Sequence, residues 1–174
     1  ASMGAIFHAP LTPDLMVYYT PQLVARLCAV IREVSPEILL LPAPEDYMED
    51  HTNTSRLGVT AAFCRNMPNF QTDPASKHIE NEMAVYHAMP NGLCDQLRNV
   101  VYPHFYVNVE SVIQAKSDAL AKHASQKQWL DASQGMDSYL ITMKDMSAEI
   151  GRLGGKFKYA EGWRRHSHLG FGPV

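Results

Sequence analysis

Apolar residues recur every three or four positions over Leu23–Val34, which predicts an amphipathic helix. Thr20 offers a capping hydroxyl before it, and Pro21 fits the first helical position, where no amide donor is needed. Ser35–Pro36 ends the pattern. The apolar run Ile38–Leu41 follows without alternation, which is typical of a strand covered on both faces in a parallel sheet.

The rest of the chain continues to alternate helices and strands. After the run 38–41, a loop leads to a second helix that we expect to begin near 50–52 and to end near 65. The polar stretch 66–81 contains two prolines and predicts a long surface loop. Further strands are predicted at 83–89 and 105–109, and further helices at 110–124 and 137–153. This order is the repeating unit of an open α/β sheet, so we expect a single α/β domain over residues 1–174.

The loop after the first strand carries an unusual concentration of charge. It places four carboxylates beside one imidazole: Glu45, Asp46, Glu49, Asp50 and His51. Such a cluster needs a cation, a proton or a solvated surface, and the carboxyl end of a strand is where α/β sheets bind ligands. A divalent metal would suit the cluster, with His51 as nitrogen ligand and the carboxylates orienting it or acting on bound water. The alternative is a helix start with stabilising acidic residues and a solvated histidine.

Composition excludes several function classes. The net charge is −3 and the basic residues are scattered, so we expect neither nucleic acid nor an anionic membrane as a partner. The cysteines Cys28, Cys64 and Cys94 are far apart and odd in number, which indicates a reducing, cytoplasmic compartment. No stretch approaches the roughly 20 apolar residues of a membrane span. The sequence also lacks GxGxxG, P-loop, GxSxG, HExxH and CxxC motifs.

Three blocks, in the right order, resemble the PIG-L/LmbE-like deacetylases. Val30–Phe63 is similar to the helix, the buried strand and the Asp-Tyr-His-Pro-Asp-His-type motif of that family. Lys116–Leu130 resembles its Lys-x-x-Ala-Leu-x-x-His-x-Ser-Gln block, and Lys158–Arg165 resembles its closing Ala-Glu-aromatic segment. The resemblance implies a Rossmann-like, mostly parallel sheet with flanking helices. It also implies a zinc-dependent hydrolase that removes an acetyl group from N-acetylglucosamine-type amides on glycolipids, thiol glycosides or related small molecules.

The resemblance also implies roles for single residues. Carried over by position, His51 is the zinc ligand, and Asp50 and Asp46 are the catalytic carboxylates. Met48 stands where many members have a second histidine that stabilises charge on the tetrahedral intermediate. A thioether cannot donate a hydrogen bond, so another group has to take that part.

Four residues outside the motif are further candidates for the site. We assign His87, Arg56 and His166 to substrate binding. Either of these histidines, or His168, is a candidate replacement for the histidine missing at the Met48 position. His166 and His168 stand among arginines near the end of the sequence, where the alternative is a solvated histidine.

The N-terminal motif of the family, Ala-His-Pro-Asp-Asp-Glu, supplies two zinc ligands and the general base, and the chain has no match to it. We therefore expect the fold to lack its N-terminal strands and the other zinc ligands to come from a missing N-terminal segment. One ligand is too few for a catalytic zinc site, so the 174-residue chain alone is expected to bind zinc weakly and to be inactive. An exposed sheet edge would favour a homo-oligomer or association with that segment.

Two alternatives differ in class from the enzyme. One is a non-catalytic sugar-binding or assembly module derived from the same fold, which would use the acidic pocket for a sugar or a partner. The other is a surface turn on an unrelated α/β domain. A reading frame that continues upstream into a His-Pro-Asp-Asp string favours the enzyme, whereas a start at Met3 favours the module.

Overall fold

A computed structural model describes residues 4–124, 132 and 138–172. Its regular elements are α1 (Pro21–Val34), β1 (Ile38–Leu41), α2 (Glu49–Cys64), β2 (Ala84–Ala88), β3 (Phe105–Asn108), α3 (Ile113–Ala121), α4 (Ser138–Gly154) and β4 (Ala160–Arg165). Two short 3-10 helices, Asn91–Leu93 and Glu110–Val112, lie between them. The alternation of helices and strands confirms the α/β fold class.

The predicted bounds agree with most of these elements. α1 and β1 begin and end where the apolar pattern placed them, and the Thr20 hydroxyl accepts a hydrogen bond from the amide of Leu23 at 3.2 Å. The stretch 66–81 is a loop without regular structure between α2 and β2, as predicted. The predicted start of the last helix at Asp137, and residues 125–130 of the second resembling block, lie outside the described residues.

The strands form one sheet in the order β1-β2-β4-β3. β1 and β2 are parallel, with Leu41 beside His87, and β2 and β4 are antiparallel, with His87 beside Arg164. β4 was not among the predicted strands. The parallel pair brings the carboxyl ends of β1 and β2 to the same place, which is where the site described below lies.

One prediction about β1 is wrong. Its continuous apolar run predicted burial on both faces, but Ile38 is 59% exposed and Leu40 is 56% exposed. Only Leu41 is buried. The reason is the position of β1 at the end of the strand order, since an end strand is covered less completely than a central one.

The chain divides into two compact units, 8–102 with 163–174 and 1–7 with 103–162. The expectation of a single domain over 1–174 stays a prediction.

In the larger unit, α1 packs against α2 around Cys28 and Ala61, which are fully buried. A Cβ on Gly58 would collide with the Leu41 side chain, so this glycine lets α2 approach β1 closely.

A buried arginine joins the two helices of the larger unit. Arg32, on α1, donates from Nε to the carbonyl of Arg65 at 3.0 Å and from Nη2 to that of Cys64 at 3.1 Å. It also donates to the carbonyls of Met67 and Ser76, at 2.8 Å each. The guanidinium therefore satisfies carbonyls at the C-terminus of α2 and fixes the loop that follows it.

In the smaller unit, α3 packs against α4. Lys116 forms an ion pair with Glu161, with 2.6 Å between Nζ and Oε1. A Cβ on Gly151 would collide with the backbone carbonyl of Phe157, so α4 needs glycine there. None of the helices in the described part of the chain is both long and apolar enough to cross a membrane.

Candidate functional site

The centre of the acidic loop is a buried carboxylate. Asp46 is 5% exposed, and its Oδ1 accepts a hydrogen bond from the Met48 amide at 3.1 Å. The same oxygen lies 2.9 Å from Nδ1 of His51, and Oδ2 accepts a longer bond from the amide of Asn91 at 3.4 Å. Asp46 thus holds the start of α2 and the His51 ring with one carboxylate. The loop is an organised structure and not a solvated turn.

The His51 imidazole is oriented by this contact. An ionised carboxylate can only accept, so Nδ1 of His51 carries the hydrogen towards Asp46, and in the neutral ring Nε2 keeps its lone pair. Nε2 has no hydrogen-bond partner among residues 4–124, 132 and 138–172. The side chain is 43% exposed, and its ring contacts Tyr47 edge to face at 6.0 Å. A carboxylate on one imidazole nitrogen and a free second nitrogen is the arrangement found around metal-ligating histidines.

The other residues of the loop have different partners. Asp50 accepts a hydrogen bond from the amide of Leu15 through Oδ2 at 2.6 Å, so it fixes a preceding segment of the chain. Met48 is the N-cap of α2 but makes no side-chain capping bond. Glu49 and Asp50 lie in the first turn of α2 and His51 is partly exposed, so the alternative of a helix start with stabilising acidic residues stands beside the metal hypothesis.

A second pair of imidazoles lies beside α2. His87, on β2, is 3% exposed, and its Nδ1 lies 3.0 Å from the carbonyl oxygen of Pro42 and 3.1 Å from Oγ of Ser55. Its Nε2 lies 2.9 Å from Nδ1 of His166. His166 directly follows β4, and its amide donates to the carbonyl of Val85 at 2.9 Å. The two parallel strand ends and α2 thus bring together side chains that are far apart in the sequence.

Burial affects the charge of both rings. Desolvation is the largest effect and lowers the pKa of His87; the hydrogen bond to the Pro42 carbonyl raises it by less, and the smaller effects of Arg164 and Glu45 lower and raise it, respectively. Burial also lowers the pKa of His166, and the neighbouring His87 ring adds to that. Both imidazoles are consequently neutral at neutral pH.

An ion pair connects the acidic loop to β4. Glu45 accepts a hydrogen bond through Oε2 from Nη1 of Arg164 at 2.7 Å. Arg164 lies beside His87 in the sheet, and Glu45 directly precedes Asp46. On α2, His51 and Ser55 lie four residues apart, on neighbouring turns of one helix face. Because Ser55 contacts His87, the two pairs lie against neighbouring turns of α2, and the cavity on this face is lined by His87 and His166.

A cavity of about 410 Å³ opens on this face of α2. Six of its eight lining residues carry polar side chains, but the larger part of its surface is apolar; the lining consists of Pro44, Thr52, Asn53, Ser55, Arg56, Val59, His87 and His166. The guanidinium of Arg56 lies 4.1 Å from the centre of the Tyr19 ring, and Tyr19 is itself within hydrogen-bond distance of Thr60 at 3.1 Å. The three residues assigned to substrate binding, His87, Arg56 and His166, therefore line one cavity.

Sequence reasoning found most of these residues but missed three partners. Ser55, Arg164 and the Pro42 carbonyl were not singled out, because their roles depend on contacts across 32 to 119 positions of the chain. The one feature of the sequence that pointed to any of the three was the position of Pro42, directly after the predicted strand 38–41. His168 makes two backbone contacts, through its carbonyl to the amides of Phe171 and Gly172. The catalytic, binding and metal roles of the assigned residues stay predictions.

The donor set fits one part of a zinc site. His51 offers Nε2, and Asp46 supplies the carboxylate that orients it. Among the residues that the structure describes, no three histidine, cysteine, aspartate or glutamate side chains are grouped closely enough to hold a metal ion. A catalytic zinc typically needs three protein ligands. Further ligands would have to come from outside the described residues.

The fold is shared with proteins of known structure. The conserved protein TT1542 from Thermus thermophilus is similar with a TM-score of 0.69 and 20% identity, over 90% of this chain and 63% of that one. The 4-carboxy-2-hydroxymuconate hydratase GalB from Pseudomonas putida KT2440 is similar with a TM-score of 0.66 and 20% identity, over 89% and 62%. The N,N'-diacetylchitobiose deacetylase from Pyrococcus horikoshii, in complex with an inhibitor, is similar with a TM-score of 0.65 and 18% identity, over 91% and 56%.

The chain has the fold of these proteins. It spans 56–63% of their lengths. No family model and no curated protein matches the sequence. The fold that the resemblance implied is thus confirmed, and at least two chemistries, amide hydrolysis and hydration, occur on it. Which chemistry this chain supports depends on its own side chains.

Proposed function

We propose that this protein is a zinc-dependent N-deacetylase that hydrolyses the acetamide of an N-acetylglucosamine-type sugar or a related amide. The observation that carries the proposal is the Asp46–His51 pair, in which a buried carboxylate holds one imidazole nitrogen and leaves the other free. It lies at the carboxyl end of a parallel strand, in a fold that a deacetylase of an N-acetylated sugar shares.

In this proposal the chain contributes one zinc ligand and its support. His51 would bind the metal through Nε2, and Asp46 would fix the tautomer and the direction of the ring. Zinc bound there, with ligands from outside the described residues, would polarise the amide carbonyl. Asp50 is the second carboxylate, and its present contact with the Leu15 amide holds it beside the start of α2.

The cavity would bind the sugar. Its hydroxyl, amide and guanidinium groups can donate and accept hydrogen bonds to a polyhydroxylated ligand. Thr52, Asn53 and Arg56 provide these groups from consecutive turns of α2. Polar side chains set in a wall that is otherwise apolar suit the hydroxyl groups and the carbon–hydrogen face of a small-molecule sugar or glycoside.

A second candidate is a non-catalytic sugar-binding or assembly module with the same fold. Among the described residues, no three side chains are grouped closely enough to hold a metal ion, which favours it. The cavity would then bind a sugar without cleaving it. Association of two copies through β1 would suit either function, because Ile38 and Leu40 are exposed on this end strand.

Zinc titration of the chain tests the metal ligand. We expect weak zinc binding that is lost in His51→Ala and weakened about 10- to 100-fold in Asp46→Asn, since a partner of a ligating imidazole typically contributes that much. His8→Ala, an exposed histidine, is the control and should bind as the unchanged chain does. Tight binding of one zinc per chain would contradict the single-ligand interpretation.

Acetate release tests the reaction. The protein expressed from its complete reading frame should release acetate from N,N'-diacetylchitobiose or an N-acetylglucosamine glycoside, and His51→Ala should abolish the release. Sugar binding without any acetate release would favour the module. Release that His51→Ala leaves unchanged would contradict the enzyme proposal.

A further inference from the structure

The hydrogen bonds of the His87 and His166 rings determine which nitrogen of each neutral ring carries the hydrogen. The Pro42 carbonyl can only accept, so Nδ1 of His87 carries the hydrogen that it donates at 3.0 Å. The opposite tautomer would place a lone pair against the carbonyl oxygen. Ser55 Oγ, 3.1 Å from the same nitrogen, is a second acceptor of this hydrogen.

The tautomer of His87 determines that of His166. Because a neutral imidazole carries one hydrogen, Nε2 of His87 keeps its lone pair and accepts from Nδ1 of His166 at 2.9 Å. The remaining nitrogen of His166, Nε2, then has a lone pair and no hydrogen. It has no hydrogen-bond partner within the part of the chain that the structure describes, and His166 lines the cavity.

We propose that His87 and His166 form a proton-accepting pair, in which His87 is the positioning residue and Nε2 of His166 is the catalytic acid–base group. The pair lies beside α2 at Ser55, one helical turn after the proposed zinc ligand His51. This role rests on the proposed deacetylase function. The resemblance gives the general base to the N-terminal motif, which this chain does not match, whereas the proposal gives that part to a histidine of this chain.

The proton balance of the step is simple. Nε2 of His166 takes a proton from water as the water oxygen bonds to the amide carbonyl carbon. It gives that proton to the departing nitrogen as the carbon–nitrogen bond breaks. The products are acetic acid and a free amine, and the ring returns to its starting state. Proton transfer of this kind by a positioned imidazole typically contributes about 10²- to 10⁴-fold to a rate.

The surroundings keep the pair neutral. Arg164, beside His87 in the sheet, opposes a positive charge on the His87 ring. Glu45 favours that charge but already pairs with Arg164 at 2.7 Å. Burial, the largest effect, lowers the pKa of both histidines. A neutral imidazole can take a proton, whereas an imidazolium cannot.

Nitrogen NMR of the histidine rings tests the pair without any substrate. In the full chain at neutral pH, we expect the His166 spectrum to show a protonated Nδ1 and an unprotonated Nε2. His166→Gln identifies these signals by removing them. In His87→Leu, the acceptor for Nδ1 is lost, and the tautomer of His166 should shift towards a protonated Nε2. Ser55→Ala is the matched control, because Pro42 remains as acceptor and the tautomer should not change.

Two results would overturn the proposal. The first is a protonated Nε2 on His166 in the unchanged chain, which decides the matter even where His87→Leu fails to fold. The second is an active complete protein in which His166→Gln keeps its kcat; we expect kcat to fall at least 100-fold with little change in KM. In an active protein, His87→Leu should also alter the pH profile of kcat, which a purely structural role would not.

The experiment separates this proposal from the proposed function. If the complete protein releases no acetate from the acetylated sugars but His166 shows the expected tautomer, the deacetylase function and the catalytic role of His166 in it fail, whereas the hydrogen positions of the pair stand. If acetate is released but Nε2 of His166 carries a hydrogen, the function stands and the pair is overturned.

Discussion

At the scale of single residues, the hydrogen bonds of buried polar side chains determine the local structure of both the candidate site and the core. Asp46 and His87 are almost completely buried, and each has its hydrogen-bonding atoms used by named partners. Arg32 is 6% exposed and donates only to backbone carbonyls in the bonds that the structure shows. Burying such groups costs free energy unless their partners are in place, so each one specifies the local structure strongly.

We predict that Arg32→Met lowers the free energy of unfolding by about 3 kcal/mol, because it leaves buried carbonyls at the end of α2 without a donor. Methionine retains much of the volume, so the effect reports the hydrogen bonds rather than a cavity. The measurement is urea unfolding followed by circular dichroism. Arg98→Met, at an exposed position, is the control and should change the midpoint little. Equal midpoints for the two variants would contradict the role given to Arg32.

At the scale of elements, β1 is the strand whose bounds were predicted correctly and whose burial was predicted wrongly. It lies at one end of the strand order, and its Ile38 and Leu40 side chains are exposed. An apolar end strand is a template for association with another chain. The proposed homo-oligomer would use this strand.

We therefore predict that Leu40→Lys reduces self-association without unfolding the chain, since a charged side chain on an exposed strand edge opposes pairing. The measurement is sedimentation velocity over a range of protein concentrations. Ile6→Lys, which changes another exposed apolar residue, is the matched control and should associate as the unchanged chain does. A monomeric unchanged chain at every concentration would contradict the proposal that two copies meet at β1.

The sequence predicted elements well where a pattern is local. α1 has a capping threonine, an N1 proline and a continuous apolar stripe, so its bounds follow from the sequence. β4 was missed because its buried positions are Ala160 and Gly162, which give no alternation of large apolar and polar residues. The exposure of β1 could not be predicted, because it depends on which strands lie beside it and not on its own residues.

In the candidate site too, contacts between residues close in sequence could be predicted and contacts between distant residues could not. Asp46 and His51 are five positions apart, and their contact was within reach of reasoning about one loop and one helix start. His87 and His166 are 79 positions apart. Both had been suggested as site residues, but their direct contact requires β4 to lie against β2, and β4 was not predicted. The chemistry that depends on their tautomers could be derived only from the structure.

At the scale of the whole molecule, the histidine pair makes stability depend on pH. An unfolded histidine titrates near its ordinary pKa of 6.5, and burial lowers the pKa of His87 and His166 in the folded chain. Between these values the unfolded state holds more protons than the folded state. The contribution of the pair is therefore complete above about pH 6.5 and is lost as the pH falls towards the folded-state pKa.

We predict that the free energy of unfolding falls between about pH 7.5 and about pH 5.5, and that the double variant His87→Gln with His166→Gln has a clearly smaller fall. Glutamine keeps hydrogen-bonding atoms at both positions but does not titrate. Urea unfolding at a series of pH values measures the slope, and His8→Gln, at an exposed position, should keep the slope of the unchanged chain. Carboxylates titrate mainly below this window, so they contribute little to it. Equal slopes in the unchanged chain and the double variant would show that these two rings do not govern stability in this range.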